Sequence, residues 1–505
     1  MTSKRILALS VAPLAILSGC KAGPDYVRPM APMTTTFKEV EGWTPASPKE
    51  AAGWESWWAI YEDPVLDGLE KQVDVSNQNL KVAEAAYRAA RGEVGVQRGQ
   101  LLPLVTASSS ARLTGGGSRN AVSVGTGGGG GPTVNTASGR TLYQLSLGAT
   151  WDADLWGRIR RTVESSVATA QASAADIAGA RLSAQSELAI DYFQLRAADQ
   201  QTELLNEIIM DFQQALMIAQ NRYRAGIATL ADVYAAQTQV DNVEAQLVNI
   251  KLTRARMEHA IATLTGRPPS EVSIVLAPLA TNVPVVPAGV PSSLLERRPD
   301  ITAAEYNVAS ANAQIGVAEA AWFPDLTLAG SYGLAGNSLG RLLNVSNAVW
   351  SVGPSLAQTI FNGGARKAQT EEARARYDQT VATYRETVLT AFQQVEDQLA
   401  TLKVLEEEAA VQERTVADAR QSEQLALNQY RAGTADFTSV ITAQTTRFNA
   451  ENAALATLDQ RLAGSVGLVV ALGGGWDASR VPQPGRFYGL PEAVDEVGPM
   501  PQPKS

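Results

Sequence analysis

Tyr223-Arg224-Ala225-Gly226 recurs as Tyr430-Arg431-Ala432-Gly433, 207 positions further along a chain of 505 residues. The same offset carries Ala236-Gln237-Thr238 onto Ala443-Gln444-Thr445 and Gly266 onto Gly473. Upstream the offset becomes 221, so that Leu80, Ala83, Glu84, Gly95 and Pro103 fall on Ile301, Ala304, Glu305, Gly316 and Pro324. A longer Gly-rich stretch in the first half, over 114–140, accounts for the difference. The chain reads as one architecture written twice, and that reading precedes any assignment of elements.

Each tetrapeptide ends a long run without helix breakers. Residues 158–225 hold a single glycine, Gly179, and no proline, while 365–430 hold neither. Some 65 helical residues rise roughly 100 Å at 1.5 Å each, more than the width of a compact domain. Val388, Phe392, Val395, Leu399 and Leu402 step by 4, 3, 4 and 3. Leu205, Ile208, Phe212, Ala215 and Ala219 step by 3, 4, 3 and 4. These are seams between packed helices. Gly226 and Gly433 then close each run, because glycine accepts the positive φ at which a helix stops and the chain turns. Each half thus predicts a helix, two strands, a very long helix and a shorter long helix.

The strands alternate. In Leu326-Thr327-Leu328-Ala329-Gly330-Ser331-Tyr332-Gly333-Leu334 the larger apolar residues hold even positions. Tyr143, Leu145, Leu147, Ala149 and Trp151 alternate with Gln144, Ser146, Gly148 and Thr150. Trp350, Val352 and Leu356 mark a fourth strand, and 104–113 is the weakest of the set. Period two over about ten residues with aromatic ends fits a transmembrane β-barrel, and equally a half-buried soluble sheet. In lipid, four strands cannot close on themselves, and an open edge leaves backbone groups unpaired. The barrel reading therefore requires copies of the chain: two would give eight strands and a filled interior, three would give twelve and room for a passage.

Composition narrows the function. One Cys excludes an internal disulfide and a Cys-cluster metal site, and one His, His259, excludes a two-His ligand set. A formal charge of −9 argues against nucleic acid, which wants a basic face. Gly127 to Gly131 is followed by no Gly-Lys-Ser/Thr, so it cradles no phosphate. No catalytic residue, cofactor or metal is expected, and the chain is not read as an enzyme.

The first twenty residues address the chain. Lys4 and Arg5 precede an apolar run from Ile6 to Leu17, too short to span a bilayer, and Leu17-Ser18-Gly19-Cys20 follows at once. That ending resembles a bacterial lipobox, in which the Cys is acylated and becomes the mature N-terminus. Cys20 is the chain's only cysteine, so lipid attachment, with palmitate among the acyl chains, is its expected use.

Other short motifs stand in order along the chain: Trp57-Trp58, Tyr61-Glu62-Asp63-Pro64-Val65-Leu66, Asn79-Leu80 and Leu155-Trp156-Gly157-Arg158. Arg297-Arg298-Pro299-Asp300-Ile301, Trp322-Phe323-Pro324 and Phe361-Asn362-Gly363-Gly364 follow. With the twin tetrapeptides, over about 20–476, they resemble the TolC/OprM-like outer membrane factor family of outer-membrane efflux proteins, in its NodT-like lipoprotein branch. The resemblance implies a mixed α and β membrane protein. Each copy would give four strands to the twelve-stranded barrel of a homotrimer, joined to a long α-helical, coiled-coil barrel in the periplasm. It implies a signal peptide at 1–19, a lipidated N-terminal wrap over 20–75 and a first repeat over 76–266, with strands about 102–113 and 142–154. A Pro-rich linker over 267–298, a second repeat over 299–476 with strands about 323–334 and 349–361, and a disordered tail over 477–505 complete it.

Its implied partners are outer-membrane lipid, a periplasmic adaptor (membrane fusion protein) and an inner-membrane RND-type pump that supplies small toxic solutes or drugs. Tyr223, Arg224, Gly226, Tyr430, Arg431 and Gly433 would form the tips that the adaptor touches. Asp232 matches an aspartate that latches the closed end. Ser439 and Thr442 stand where some relatives carry aspartates, leaving Asp436 as the nearest acid for the gate. The residues also allow the duct of a type I secretion or ABC exporter, or a lipid-anchored coiled-coil scaffold without a pore. Cys20→Ser should abolish incorporation of radioactive fatty acid; undiminished labelling would contradict the anchor.

Overall fold

The computed structural model describes residues 21–32, 34, 36–39, 50–114, 140–284, 286 and 297–487. Cys20, the expected Gly-rich loop, residues 285 and 287–296 of the linker and the end of the tail lie outside them. A 3-10 stretch Glu50–Tyr61 leads to α1 (Pro64–Ser76), α2 (Gln78–Gly99), β1 (Leu104–Thr114), β2 (Arg140–Asp152), α3 (Arg158–Arg224) and α4 (Leu230–Leu264). Then follow α5 (Pro299–Ala320), β3 (Asp325–Gly336), β4 (Ala348–Ala357), α6 (Ala365–Ala432) and α7 (Phe437–Ala471). α3 and α6 contain 67 and 68 residues, α4 and α7 35 each. The runs without proline, and with at most one glycine, set the lengths of α3 and α6. No helix among the described residues is long and apolar enough to cross a membrane.

The chain divides into two compact units. The first contains the sheet, which is antiparallel in the order β1-β2-β3-β4. Its register puts Ala107, Leu147, Tyr332 and Trp350 in one row and Val105, Ala149, Gly330 and Val352 in the next. Because directly opposed residues share a face, the apolar positions of all four strands gather on one side. The other side carries hydroxyl pairs, Ser108 with Ser146 at 2.9 Å and Ser331 with Ser351 at 2.8 Å. The apolar face is bare: Tyr332, Trp350 and Val352 are 57%, 73% and 77% exposed.

Strand ends differ from expectation for local reasons. β2 stops at Asp152 because Asp154 turns to cap α3, its carboxylate accepting Ile159 N and Arg160 N at 2.9 Å each. β3 starts at Asp325, behind Trp322-Phe323-Pro324, whose proline has no N–H for the ladder. β4 ends at Ala357 rather than near 361, and Gln358 donates sideways to Trp322 O at 2.9 Å.

The same unit seats the residues that follow Cys20. Arg161, whose side chain is fully buried, donates through Nε to Ala22 O and through Nη2 to Gly23 O, both at 2.9 Å, and to Asp25 Oδ1 at 3.1 Å. Gly23 (φ 82°) crosses Gly316 so closely that a Cβ on Gly23 would stand 2.4 Å from the Gly316 Cα. Only a glycine at both places permits that crossing. Asn312 Nδ2 donates to Pro24 O at 3.0 Å, and Lys21 pairs with Glu164.

The helical unit closes with one clasp made twice. Asn77 Nδ2 donates to Leu264 O at 2.8 Å, and Arg298 Nη1 donates to Ala471 O at 3.0 Å. Beside them Gly266 and Gly473, both with positive φ, leave room for Ser76 O and Arg297 O, which a Cβ would approach to 2.3 Å in each case. The N-terminal segment expected to wrap lies along α6 at residues 37–39. Glu396 accepts Lys38 N at 2.6 Å and Glu39 N at 3.0 Å, and Phe37 meets Phe392 edge-on at 6.5 Å. That segment also holds α1, which the sequence reading passes over: Asp63 caps it by accepting Val65 N and Leu66 N. Ahead of it Trp57 and Trp58 are buried. The expected disordered tail instead begins with structure, two 3-10 turns at Ala478–Arg480 and Pro484–Phe487. Burial of Val481 and Phe487 holds them.

Glu70, on α1, is fully buried, and neither carboxylate oxygen has a partner among the described residues. Burial first, then the neighbouring Asp74, pushes its pKa from 4.5 up to about 9. A folded value above the unfolded one gives stability that is complete below pH 4.5 and is lost as pH rises towards about 9, by up to about 1.4 kcal/mol per pH unit. Glu70→Gln should therefore flatten the fall in melting temperature across that window. An unchanged slope would contradict the assignment.

Candidate functional site

The two hairpin tips share a backbone. Gly226 N donates to Tyr223 O at 2.9 Å and Ile227 N to Arg222 O at 3.0 Å. Gly433 N likewise donates to Tyr430 O at 3.0 Å and Thr434 N to Gln429 O at 2.9 Å. Each glycine is left-handed, with φ 74° and 78°. This pair of bonds satisfies the last carbonyls of α3 and α6 and requires glycine at its left-handed position.

The helices that leave the tips are capped by the same two chemical groups in exchanged places. At α4 the hydroxyl is first: Thr229 Oγ1 accepts Asp232 N at 3.2 Å while Asp232 Oδ2 accepts Thr229 N at 3.1 Å. At α7 the carboxylate is first: Asp436 Oδ1 accepts Ser439 N at 3.0 Å and the Ser439 hydroxyl at 2.7 Å. The Ser439 bonds, side chain first, hold the Asp436 pKa below its ordinary value. Both acids marked out for a gate thus cap helices within the chain.

Side chains at the tips are not equivalent. Tyr430, Phe437 and Val440 are buried together against Ala215, Ala219 and Ala236 of the first hairpin. Tyr430 and Phe437 meet at 5.1 Å between ring centroids. Their counterparts Tyr223 and Leu230 stand 44% and 45% exposed. Arg224 and Arg431 make no ion pair among the described residues. The working guanidinium is Arg222, 4.6 Å above the Tyr430 ring and donating to Tyr430 O at 2.5 Å. Sequence reasoning passed over Arg222, although the difference between Arg222 and Gln429 at one repeat position was visible. The Tyr430 hydroxyl has no hydrogen-bond partner among the described residues, and burial, more than Asp232, raises its pKa.

Further along the hairpins an ion-pair group joins three helices. Arg447 of α7 donates to Asp211 of α3 at 2.7 Å and to Glu423 of α6 at 2.8 Å through Nη1, and to Glu451 at 3.1 Å through Nε. Arg420 adds a second donor to Glu451 at 2.6 Å. No group of three or more metal-binding side chains occurs among the described residues.

A family model described as "Outer membrane efflux protein" matches residues 69–267 and 290–474. The chain belongs to the outer membrane efflux protein family. Other members extend the likeness over nearly the full length. The "Probable efflux pump outer membrane protein TtgC" of Pseudomonas putida is 30% identical over 481 residues, 94% of this chain and 96% of the relative. The "Pyoverdine export outer membrane protein OpmQ" of Pseudomonas aeruginosa is 29% identical over 475 residues, 94% of this chain and 98% of the relative. Among solved structures, the outer-membrane channel OprN superposes with a TM-score of 0.82 at 30% identity, over 90% of this chain and all of OprN. Within this efflux family the fold is mostly helical with one four-stranded sheet, and the member described here works at the outer membrane.

An aromatic ring, not a phenolic hydrogen bond, carries the tip contact in this efflux protein. Tyr430→Phe removes a buried hydroxyl that has no hydrogen-bond partner among the described residues and should not lower thermal stability. Tyr430→Ala should cost about 3 kcal/mol or more through the cavity it leaves, read by thermal melting. Equal losses in the two variants would show that the hydroxyl is the essential group.

Proposed function

We propose that this chain is the outer-membrane exit channel of a tripartite efflux pump, built as a homotrimer and anchored through acylated Cys20. Three copies would supply twelve strands to one barrel and twelve helical segments to one periplasmic tube, each chain being a twofold repeat. A periplasmic adaptor would engage the tips, and an inner-membrane pump of the RND type would deliver small toxic solutes or drugs. The channel itself does no chemistry, and the energy comes from the pump.

The open sheet with a bare apolar face supports this reading most strongly. In water, Tyr332, Trp350 and Val352 would form a costly exposed patch. In lipid the same face is at home, provided that other copies pair the free edges of β1 and β4. The relatives add cargo: efflux-pump proteins named for toluene and for antibiotics, both from Pseudomonas putida, match over 94% of this chain.

Purification from native membranes should bring down an adaptor and a pump, and the pump's identity separates the RND reading from an ABC exporter. Recovery of the chain without either would contradict the tripartite assignment. Asp232→Ala removes one half of the α4 cap and should raise the resting conductance of the protein in planar bilayers severalfold. An unchanged conductance would remove Asp232 from the gate.

A further inference from the structure

We propose that Arg112 sets the ion preference of the barrel, as a ring of guanidinium groups at its outer mouth that draws small anions and repels cations. The proposal rests on the channel reading and adds which residue of the strands meets a charged solute last on its way out.

The charged residues of the four strand ranges are Arg112, Arg140, Asp152 and Asp325. The arginines stand at one end of the sheet and the aspartates at the other. All hold register positions of one parity: Arg112 is opposite Leu142, Arg140 opposite Thr114, Asp152 opposite Thr327 and Asp325 opposite Ala357. The bonded pairs Ser108 with Ser146 and Ser331 with Ser351 belong to the same set. These positions make the face turned away from the bare apolar side, and in a closed barrel that face lines the passage. The aspartate end is where α2, α3, α5 and α6 join the sheet. With the helices in the periplasm, the arginine end is the outer mouth.

The two ends act separately. Leu142 and Asp152 are ten residues apart on β2, about 33 Å at roughly 3.3 Å each, with no charged residue between them. The Debye length at physiological ionic strength is about 8 Å. At the foot the acids are partly answered. Arg158 stands 3.8 Å from Asp152 and 3.9 Å from Asp325, and the Thr327 hydroxyl donates to Asp152 at 2.9 Å.

Nothing answers the charge at the mouth. The sequence holds no acidic residue between Glu93 and Asp152, nor between Asp325 and Glu371, whereas the same stretches include Arg112, Arg119, Arg140 and Arg341. A chain of net charge −9 is thus wholly basic at this one end. Arg112 is exposed there, with Ser110 opposite Gln144 in the neighbouring row. A ring of like charges between low-dielectric walls focuses its field into the passage, which is how arginine rings prefer anions in other pores. Anionic solutes pass from a neutral hydroxyl wall into a favourable potential, while cations from outside meet repulsion first.

The test uses the full chain in the outer membrane of intact cells, carrying Ser110→Cys, the nearest inward position of the same parity. Cys20 is the only native cysteine, and the chain without Ser110→Cys gives the background. Two methanethiosulfonates of similar size are compared, the anionic ethylsulfonate and the cationic ethyltrimethylammonium. A local potential of about one kT changes their rate ratio roughly sevenfold, because it acts on them with opposite sign. Arg112→Gln should lower the anionic-to-cationic ratio by about that factor, and Arg112→Lys should keep it. Salt at about 1 M, where the Debye length is about 3 Å, should erase the difference. A ratio that Arg112→Gln leaves unchanged in native-size trimers overturns the proposal and leaves the channel reading intact. Ser109→Cys, opposite Leu145 on the apolar face, is the control. Reaction at position 109 without reaction at position 110 means that the faces are exchanged, and overturns both.

Discussion

Unpaired backbone at the two edges of a four-stranded sheet is the constraint on which the rest of this molecule depends. β1 and β4 have strand neighbours on one side only. Their apolar residues project to the face that is already bare of protein. Hydrocarbon would accept those side chains, but it offers no partner for free N–H and C=O groups, each of which costs several kcal/mol when left unpaired there. The chain is thus incomplete as a membrane-crossing object. In the trimeric reading proposed above, further copies would complete it by extending the sheet until it closes.

The helices answer a different requirement, that of length. A helix of 67 or 68 residues with a polar, alanine-rich surface cannot bury itself around a compact core; in this chain such helices are held by seams along their length, while the polar clasps hold the far ends of their shorter partners α4 and α7. Buried charge is placed where several helices meet. Arg196 donates to Asp199 at 3.1 Å and to Val275 O at 2.6 Å, and Arg254 donates to Asp199 at 2.6 Å, so that two arginines and one aspartate hold the start of the inter-repeat linker against α3 and α4. Removing Asp199 would leave both guanidinium groups without the carboxylate that they share, with only Val275 O and Ile274 O left to them on the linker.

Much of this was legible in the sequence, and the reasons are physical. Absence of Pro and near-absence of Gly marked α3 and α6, Gly226 and Gly433 marked their ends, and period-two alternation put the apolar residues of four strands on one face. What local pattern did not carry were contacts between distant residues. The Arg161 seat for Ala22 and Gly23 joins residues about 139 apart, and nothing in the local pattern around Arg161 distinguishes it from a solvated arginine. The unequal tips were hidden for the opposite reason. Two identical tetrapeptides have identical backbone bonds, and their environments diverge only through neighbours such as Arg222 against Gln429 and Leu230 against Phe437. The gate acids were legible as acids, but their capping partners, Thr229 and Ser439, were not weighed with them.

The central claim is that copies of this chain close one barrel in lipid. Electron cryo-microscopy of the lipidated protein extracted from outer membranes into lipid nanodiscs tests it most directly. The account requires three chains around a single closed sheet of twelve strands, with β1 of each copy paired to β4 of the next. A particle holding one chain, or several chains whose sheet edges remain open, would contradict it.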